Sequence, residues 1–218
     1  MSGIKHIIFD FDGTLANTWP VIIHGCVNVF QKHDNRELTV ADIHAMAGPT
    51  ELKIIEKYLI NQAMAATAVE EFVTDYENHH EAMVERDEAI LNLLRNLQQS
   101  GVGLALFTGK SRRTLEISLS KLGWDIVFDK IVSGDDVQNS KPSPEGIFHI
   151  LEALNWDRKD TVFVGDSNDD MQAGREAEVR TFAAQWMSMA QDSHYRIQPE
   201  RTFDNLPDFY TFIKEHIV

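Results

Sequence analysis

Three short apolar runs in this 218-residue chain each stop at a polar residue. Ile7, Ile8 and Phe9 run into Asp10, Leu104–Phe107 into Thr108, and Thr161–Gly165 into Asp166. Runs this short, bounded by turn signals and separated by helical stretches, mark strands buried on both faces of a parallel sheet. The intervening stretches carry helical spacing. Ile90, Leu94 and Leu97 share a face ended by Gly101, and Leu115, Leu119 and Leu122 share one stopped by Gly123. Ile147, Ile150, Leu151 and Leu154 form an i, i+3, i+4, i+7 stripe, and Phe209, Phe212 and Ile213 mark a final helix. A short strand is expected over 131–133 and another over 179–184. The alternation predicts an α/β fold with a doubly wound parallel sheet.

Residues 17–85 break that alternation. They read as helical throughout, with one helix opened by Thr39, one by Thr50 after Pro49, and a third over 68–85. A crossover between parallel strands needs only a dozen or so residues. The expected organisation is therefore a core of residues 1–16 and 86–218 with an inserted helical domain over 17–85.

In a doubly wound sheet, ligands bind beyond the carboxyl ends of the strands. Parallel strands would bring Asp10, Thr108 and Asp166 to one edge. Asp12, two residues after Asp10, adds a carboxylate, and like charges that close raise each other's pKa unless a cation neutralises them. Asp166 opens GDSNDD, where Asp170 lies one turn on and backs the same site. Asp169 points elsewhere and is expected to be solvated, while Ser167 or Asn168 is expected to cap a helix. So many carboxylates suit a hard divalent cation with oxygen ligands, and magnesium is the natural choice. Lys141, before a proline-fixed helix start, supplies a cation for a phosphoryl oxygen. Thr108 and the backbone N–H of Gly109 are placed to hold others. Lys110 is expected to be solvated.

Composition narrows the partners. A net charge of −14 repels nucleic-acid phosphates and anionic lipids, and a hydrophobic fraction of 43% is enough for a packed core. Cys26 stands alone, so no intrachain disulfide forms, and a small buried apolar role is expected for it. No run approaches membrane length and the N-terminus has no signal-peptide pattern. The expectation is a cytoplasmic protein, monomer or homodimer, with a small anionic substrate and neither nucleic-acid nor membrane partner.

Taken together, DFDGTL at 10–15, FTG at 107–109, Lys141 in KPSP and GDSNDD at 165–170 resemble the ordered motifs of the haloacid dehalogenase superfamily, phosphatase branch. The likeness runs from residue 4 to about 184, with the helical stretch where the family carries its first-type cap. The resemblance implies that Asp10 is the nucleophile forming an aspartyl phosphate and that Asp12 protonates the leaving oxygen and later activates water. It implies magnesium held by the Asp10 carboxylate, the Asp12 carbonyl and Asp166, with Asp170 in support. It implies a phosphoryl group bound by Thr108, Gly109 and Lys141. Haloacid dehalogenases proper lack an acid at the place of Asp12, so phosphoryl transfer is expected rather than carbon–halogen cleavage.

In overall layout the chain is similar to the family's phosphoglycolate phosphatases and small pyrophosphatases. A sugar-phosphate mutase on the same scaffold is the competing reading. Mutases of the family carry Gly-x-Ser-Arg where this chain has AGPTEL, and the arginine position falls on Glu51, which would repel a second phosphate. Lys53 is expected on another helical face. A non-catalytic binding protein is disfavoured by retention of every catalytic residue type. Where the family has a glycine after the GDSNDD helix, this chain has Glu178. Trp19, Tyr76, His79 and His80 are candidates to face a substrate, with ordinary packing or exposure the favoured alternative. Trp186 is expected to pack at the sheet edge.

Overall fold

The structure is a computed structural model that describes residues 3–46, 50–124 and 128–218. Six parallel strands form one sheet: β1 (His6–Phe9), β2 (Gly103–Phe107), β3 (Lys130–Val132), β4 (Thr161–Gly165), β5 (Arg180–Ala184) and β6 (Arg201–Phe203). Their order is β3-β2-β1-β4-β5-β6. The α/β expectation holds, with the connections leaving β1 in opposite directions on its two sides.

Period-two alternation divides the core into two layers. Ile7 and Phe9 of β1 join Leu104, Leu106, Val162, Val164 and Phe182 on one face, covered by α5 (Glu88–Gln99) and α9 (Leu206–His216). Ile8, Ala105, Phe107, Val132 and Phe163 point the other way, against α7 (Glu145–Leu154) and α8 (Asn168–Glu176). Helix α6 (Arg112–Leu122) connects β2 to β3. The apolar stripes read from the sequence are the faces buried here: Ile90, Leu94 and Leu97 on α5, and Ile147, Ile150 and Leu151 on α7.

Between β1 and β2 lie four helices: α1 (Trp19–Asp34), α2 (Val40–Met46), α3 (Glu51–Tyr58) and α4 (Ala65–Met83). Thr50 caps α3 through the Lys53 N–H, and Thr39 bonds Asp42 at the start of α2. Helix α4 starts three residues before the expected Ala68 and ends two before Glu85. Ala47, Gly48 and Pro49, which include the proline read as a helix signal, lie outside the described residues.

Two local outcomes differ from or refine the reading. Strand β6 was not expected: two of its three residues are exposed and only Phe203 is buried, so it carries no apolar pattern. Glu178, standing where a glycine was expected, adopts φ 58° and ends α8 in the left-handed region.

Register sets up the site. Phe9 pairs with Leu106 on one side and Val164 on the other. Asp10, Thr108 and Asp166 therefore leave the sheet at one edge, where ligands bind in folds of this class.

Candidate active site

The loop after β1 is a tight turn held by its own backbone. The N–H groups of Thr14, Leu15 and Ala16 converge on the Phe11 carbonyl, and Gly13 donates to Ala16. Gly13 has φ 88°, and a Cβ there would stand 2.4 Å from Asp166 Oδ2. Only glycine allows both that backbone and that closeness. Gly165 plays the matching part across the site, since a Cβ there would lie 2.4 Å from the Asp170 carboxyl carbon.

These approaches gather three buried carboxylates. Asp10, Asp166 and Asp170 are 5%, 1% and 0% exposed, and each offers an oxygen within 4.8 Å of the others. Lys141 Nζ bridges two of them, at 2.6 Å from Asp10 Oδ1 and 2.6 Å from Asp170 Oδ1. Asp166 accepts from Thr14 Oγ1 at 3.0 Å and from the Gln191 N–H at 2.6 Å. Asp170 closes a capping box with Ser167, the N-cap of α8, and its Oδ2 accepts from the Ser167 N–H, the Ser167 hydroxyl and the Asp166 N–H.

One lysine does not balance three carboxylates out of water. Burial above all, with Asp170 and Asp12 adding to it against Lys141, pushes Asp10 up to about 7. Burial, with Asp10 and Asp170 beside it, holds Asp166 well above the usual carboxylate range. Lys141 is raised, because Asp10 and Asp170 outweigh the burial that opposes its charge. A cluster of hard oxygen donors with surplus negative charge is the chemistry that suits a divalent cation.

The Asp12 side chain lies outside that cluster. It accepts from the Thr18 hydroxyl, and Thr18 consequently gives α1 no side-chain cap. Its other neighbour corrects the sequence reading. Lys110, expected to be solvated, has a side chain that is 0% exposed and lies 3.3 Å from Asp12 Oδ1. Its ammonium sits 4.7 Å from the Tyr76 ring centroid on α4. Nothing in FTGK distinguishes a buried lysine from a free one. What buries it is Tyr76, distant in sequence, packed over it.

Thr108, Gly109, Lys110 and Lys141 line a cleft with Asp10, Asp12 and Asp169. Nothing lies within 4 Å of where a Cβ on Gly109 would be, so the backbone there faces open space. Asp169 is exposed, as expected, but it lines this cleft rather than pointing elsewhere. Trp19 and Cys26 of α1 also line the cleft, and Cys26 is buried, its thiol pushed up to about 12 by burial. Glu51 joins them, 6% exposed. It accepts from the Ser111 N–H at 3.0 Å, the Ser111 hydroxyl at 2.8 Å and the Thr114 hydroxyl, all at the start of α6.

The other candidates stand elsewhere. Tyr76 and His80 are buried against Ser118 of α6, at 2.7 and 3.0 Å. His79 pairs with Asp75. Lys53 projects to Asp135, as its helical face implied. Trp186 braces the β1 loop, donating its indole N–H to the Thr14 carbonyl at 2.8 Å, and packs on Phe209. Among the described residues no helix is long and apolar enough to cross a membrane.

A family model described as haloacid dehalogenase-like hydrolase matches residues 7–184. The chain is 30% identical over 209 residues to a pyrophosphatase PpaX of Bacillus cereus (strain B4264), covering 94% of each protein. Its fold is similar to that of a protein from Haemophilus somnus 129pt named as a predicted phosphoglycolate phosphatase, with TM-score 0.81, 20% identity, and 97% of this chain and 99% of the other covered. It is also similar to CbbY from Rhodobacter sphaeroides in complex with phosphate, with TM-score 0.80, 20% identity, and coverage of 93% and 94%. The chain belongs to the haloacid dehalogenase-like hydrolase family, in its phosphatase branch.

Proposed function

We propose that this chain is a magnesium-dependent phosphatase that hydrolyses a small phosphorylated metabolite through an aspartyl phosphate on Asp10. The observation that carries the reading is the buried cluster of Asp10, Asp166 and Asp170 bridged by Lys141 beneath a cleft lined by Thr108 and Gly109. Helices α1–α4 act as a cap over that cleft, so that residues 17–85 form the domain that closes on substrate.

Asp10, Asp166 and Asp170, with the Asp12 carbonyl, would hold magnesium, which when bound offsets negative charge on a phosphoryl group and on its carboxylate neighbours. The rest falls to the chain. Thr108, the Gly109 N–H and Lys141 bind phosphoryl oxygens and orient the phosphorus toward Asp10. An Asp10 oxygen attacks, forming the O–P bond as the bond to the leaving oxygen breaks. Asp12 donates its proton to that oxygen, releasing an alcohol. A water then attacks phosphorus and gives a proton to Asp12. The Asp10–phosphorus bond breaks, returning the Asp10 carboxylate and inorganic phosphate. Thr18 and Lys110 hold Asp12 where both transfers need it.

The test is phosphate release from a panel of small phosphate esters with magnesium, run beside Asp10→Asn and with chelator. Turnover is expected for the native chain, with none for Asp10→Asn and none after chelation. Hydrolysis that persists in Asp10→Asn would refute the covalent route.

A further inference from the structure

A second place in the molecule gathers metal-binding side chains, away from the cleft. Among the described residues, His24 of α1 and Asp75 and His79 of α4 each offer a ligand atom within 4.8 Å of the others. They lie on the seam between two antiparallel helices. Lys32 and His33, near the end of α1, meet Glu71, whereas His24, nearer its start, meets Asp75 and His79. Gly25 lets the seam close, since a Cβ there would stand 2.7 Å from the Phe72 ring of α4. Trp19, Ile22 and Cys26 line the catalytic cleft from one face of α1. By helical periodicity His24 falls on the opposite face.

Ordinary ion pairing accounts for one end of this seam and not for the other. Glu71 takes Lys32 Nζ at 2.7 Å and His33 Nε2 at 2.8 Å. Asp75 Oδ2 is out of water and accepts no hydrogen bond among the described residues. What faces it is His24 Nε2, at 3.4 Å. Asn28 Nδ2, a donor, lies 3.0 Å from that same nitrogen, so Nε2 presents a lone pair rather than a proton. Two lone pairs facing each other repel unless a cation stands between them. A tetrahedral zinc ion, with bonds of about 2.0–2.1 Å, sets neighbouring ligand atoms about 3.3 Å apart, close to this spacing. His79 Nδ1 lies 2.9 Å from the Asp75 carbonyl, which can only accept. In the neutral ring the proton is therefore on Nδ1 and the lone pair on Nε2, the arrangement that orients a metal-bound imidazole. Two imidazoles and a carboxylate suit zinc, while magnesium takes oxygen donors.

The geometry points to a zinc site made by His24, Asp75 and His79 that pins α1 to α4 on the side away from the catalytic cleft. Three protein ligands leave a fourth position for water. The ion is exchangeable, and the stability it adds follows the zinc concentration. The site stands independently of the phosphatase reading.

Zinc alone is the probe, added to the full chain in excess magnesium so that the carboxylate cluster is supplied with its proposed ion. Equilibrium dialysis should find one more zinc per chain in the native protein than in a His24→Gln, His79→Gln double variant. Zinc at about a hundred times its Kd should raise the native unfolding midpoint by about 5 °C more than that of the double variant. Without zinc the two midpoints should agree closely, because these side chains are 33% and 45% exposed. Asp75→Asn should weaken the extra binding by at least the roughly tenfold that loss of a supporting partner costs. A readout on the native chain alone serves if the variants misfold. Carbethoxylation of His24 and His79, located by mass spectrometry, should be suppressed by zinc and not by magnesium. Equal zinc uptake by native and double variant, or labelling of both histidines that zinc leaves untouched, would overturn the site and leave an ordinary paired seam.

Discussion

Two lysines stand in this cleft with side chains largely out of water, each beside a carboxylate to which the proposed mechanism gives a role, and they are built differently. Lys141 makes two 2.6 Å contacts, to Asp10 and Asp170, on the α/β side of the molecule. Lys110 is 3.3 Å from Asp12, has no hydrogen bond of good geometry among the described residues, and has Tyr76 of α4 packed over it. The first lysine is paid for by its partners. The second loses its hydration and recovers little of it, so its retention points to function rather than stability. It also ties the proposed general acid to α4, whereas Lys141 ties the proposed nucleophile, at the end of β1, to Asp170 of α8.

Replacing each lysine by methionine, which keeps much of the volume, should separate these roles. Lys141→Met leaves Asp10, Asp166 and Asp170 buried without a cation. Stability is expected to fall by about 3 kcal/mol, the scale for breaking a buried pair on one side, and kcat by roughly 10³-fold, as for a lost charge stabiliser. Added magnesium should recover part of the stability and little of the rate. Urea unfolding with and without magnesium, beside steady-state kinetics, measures both. An unchanged unfolding midpoint would show that Lys141 is not what balances the cluster.

Lys110→Met is expected to behave in the opposite sense. Asp12 keeps its Thr18 bond and some exposure, so stability should move by no more than about 1 kcal/mol in either direction. The rate should still fall, by roughly 10- to 100-fold in kcat with KM little changed, because only the proton donor has lost its support. Magnesium should not alter the unfolding midpoint of this variant more than that of the native chain. A stability loss matching that of Lys141→Met would erase the distinction between the two lysines.

The contrast also explains what the sequence made legible. Lys141 could be found because its neighbours come from strand ends, and parallel strands bring strand ends together whatever the rest of the chain does. Asp10, Thr108 and Asp166 were legible for the same reason. Lys110 was not, because its burial depends on Tyr76 packing from another region, and pattern along the chain carries no record of that contact. Glu51 was singled out for its charge, but its hydrogen bonds to Ser111 and Thr114 are sixty or more residues away in sequence. Thr18 illustrates the same limit. A threonine before a helix reads as a cap, yet its hydroxyl goes to Asp12. Strand β6 escaped because one buried side chain in three makes no period. Glu178 was legible as a departure, and the backbone keeps the left-handed turn a glycine would have made.

The surroundings of Lys110 make a smaller, pH-dependent prediction. His80 is 1% exposed and is held down to about 4, chiefly by burial, with Lys110 and Lys121 adding to it and Glu81 and Asp12 opposing. The folded state therefore favours the neutral ring. Between pH 6.5 and 4 the unfolded chain binds the proton and the folded chain does not, so this contribution is complete above pH 6.5 and is lost as pH falls toward 4. The shift amounts to at most about 3 kcal/mol. His80→Gln should flatten that limb in a comparison of unfolding free energy at pH 7 and pH 4.5. Since Asp10 and Asp166 are shifted the opposite way, the difference between native and variant is the informative quantity. An identical acid limb in both would remove His80 from the balance around Lys110.

Tyr76→Phe is the mildest way to probe the link between Lys110 and α4. It keeps the ring over the ammonium and removes only the hydroxyl, which lies 2.7 Å from Ser118 Oγ. Ser118 retains His80 at 3.0 Å, so no buried group is left wholly unpaired. The cost should be about 1 kcal/mol, one net hydrogen bond, and kcat should stay within about twofold if the ring, rather than the hydroxyl, supports Lys110. Tyr76→Leu, which removes the ring face as well, should lower kcat further toward the Lys110→Met value and cost more stability than the phenylalanine variant, because a fully buried ring leaves a gap. If the phenylalanine variant already loses as much rate as Lys110→Met, then the phenol oxygen, and not the aromatic face, is what holds the ammonium beside Asp12.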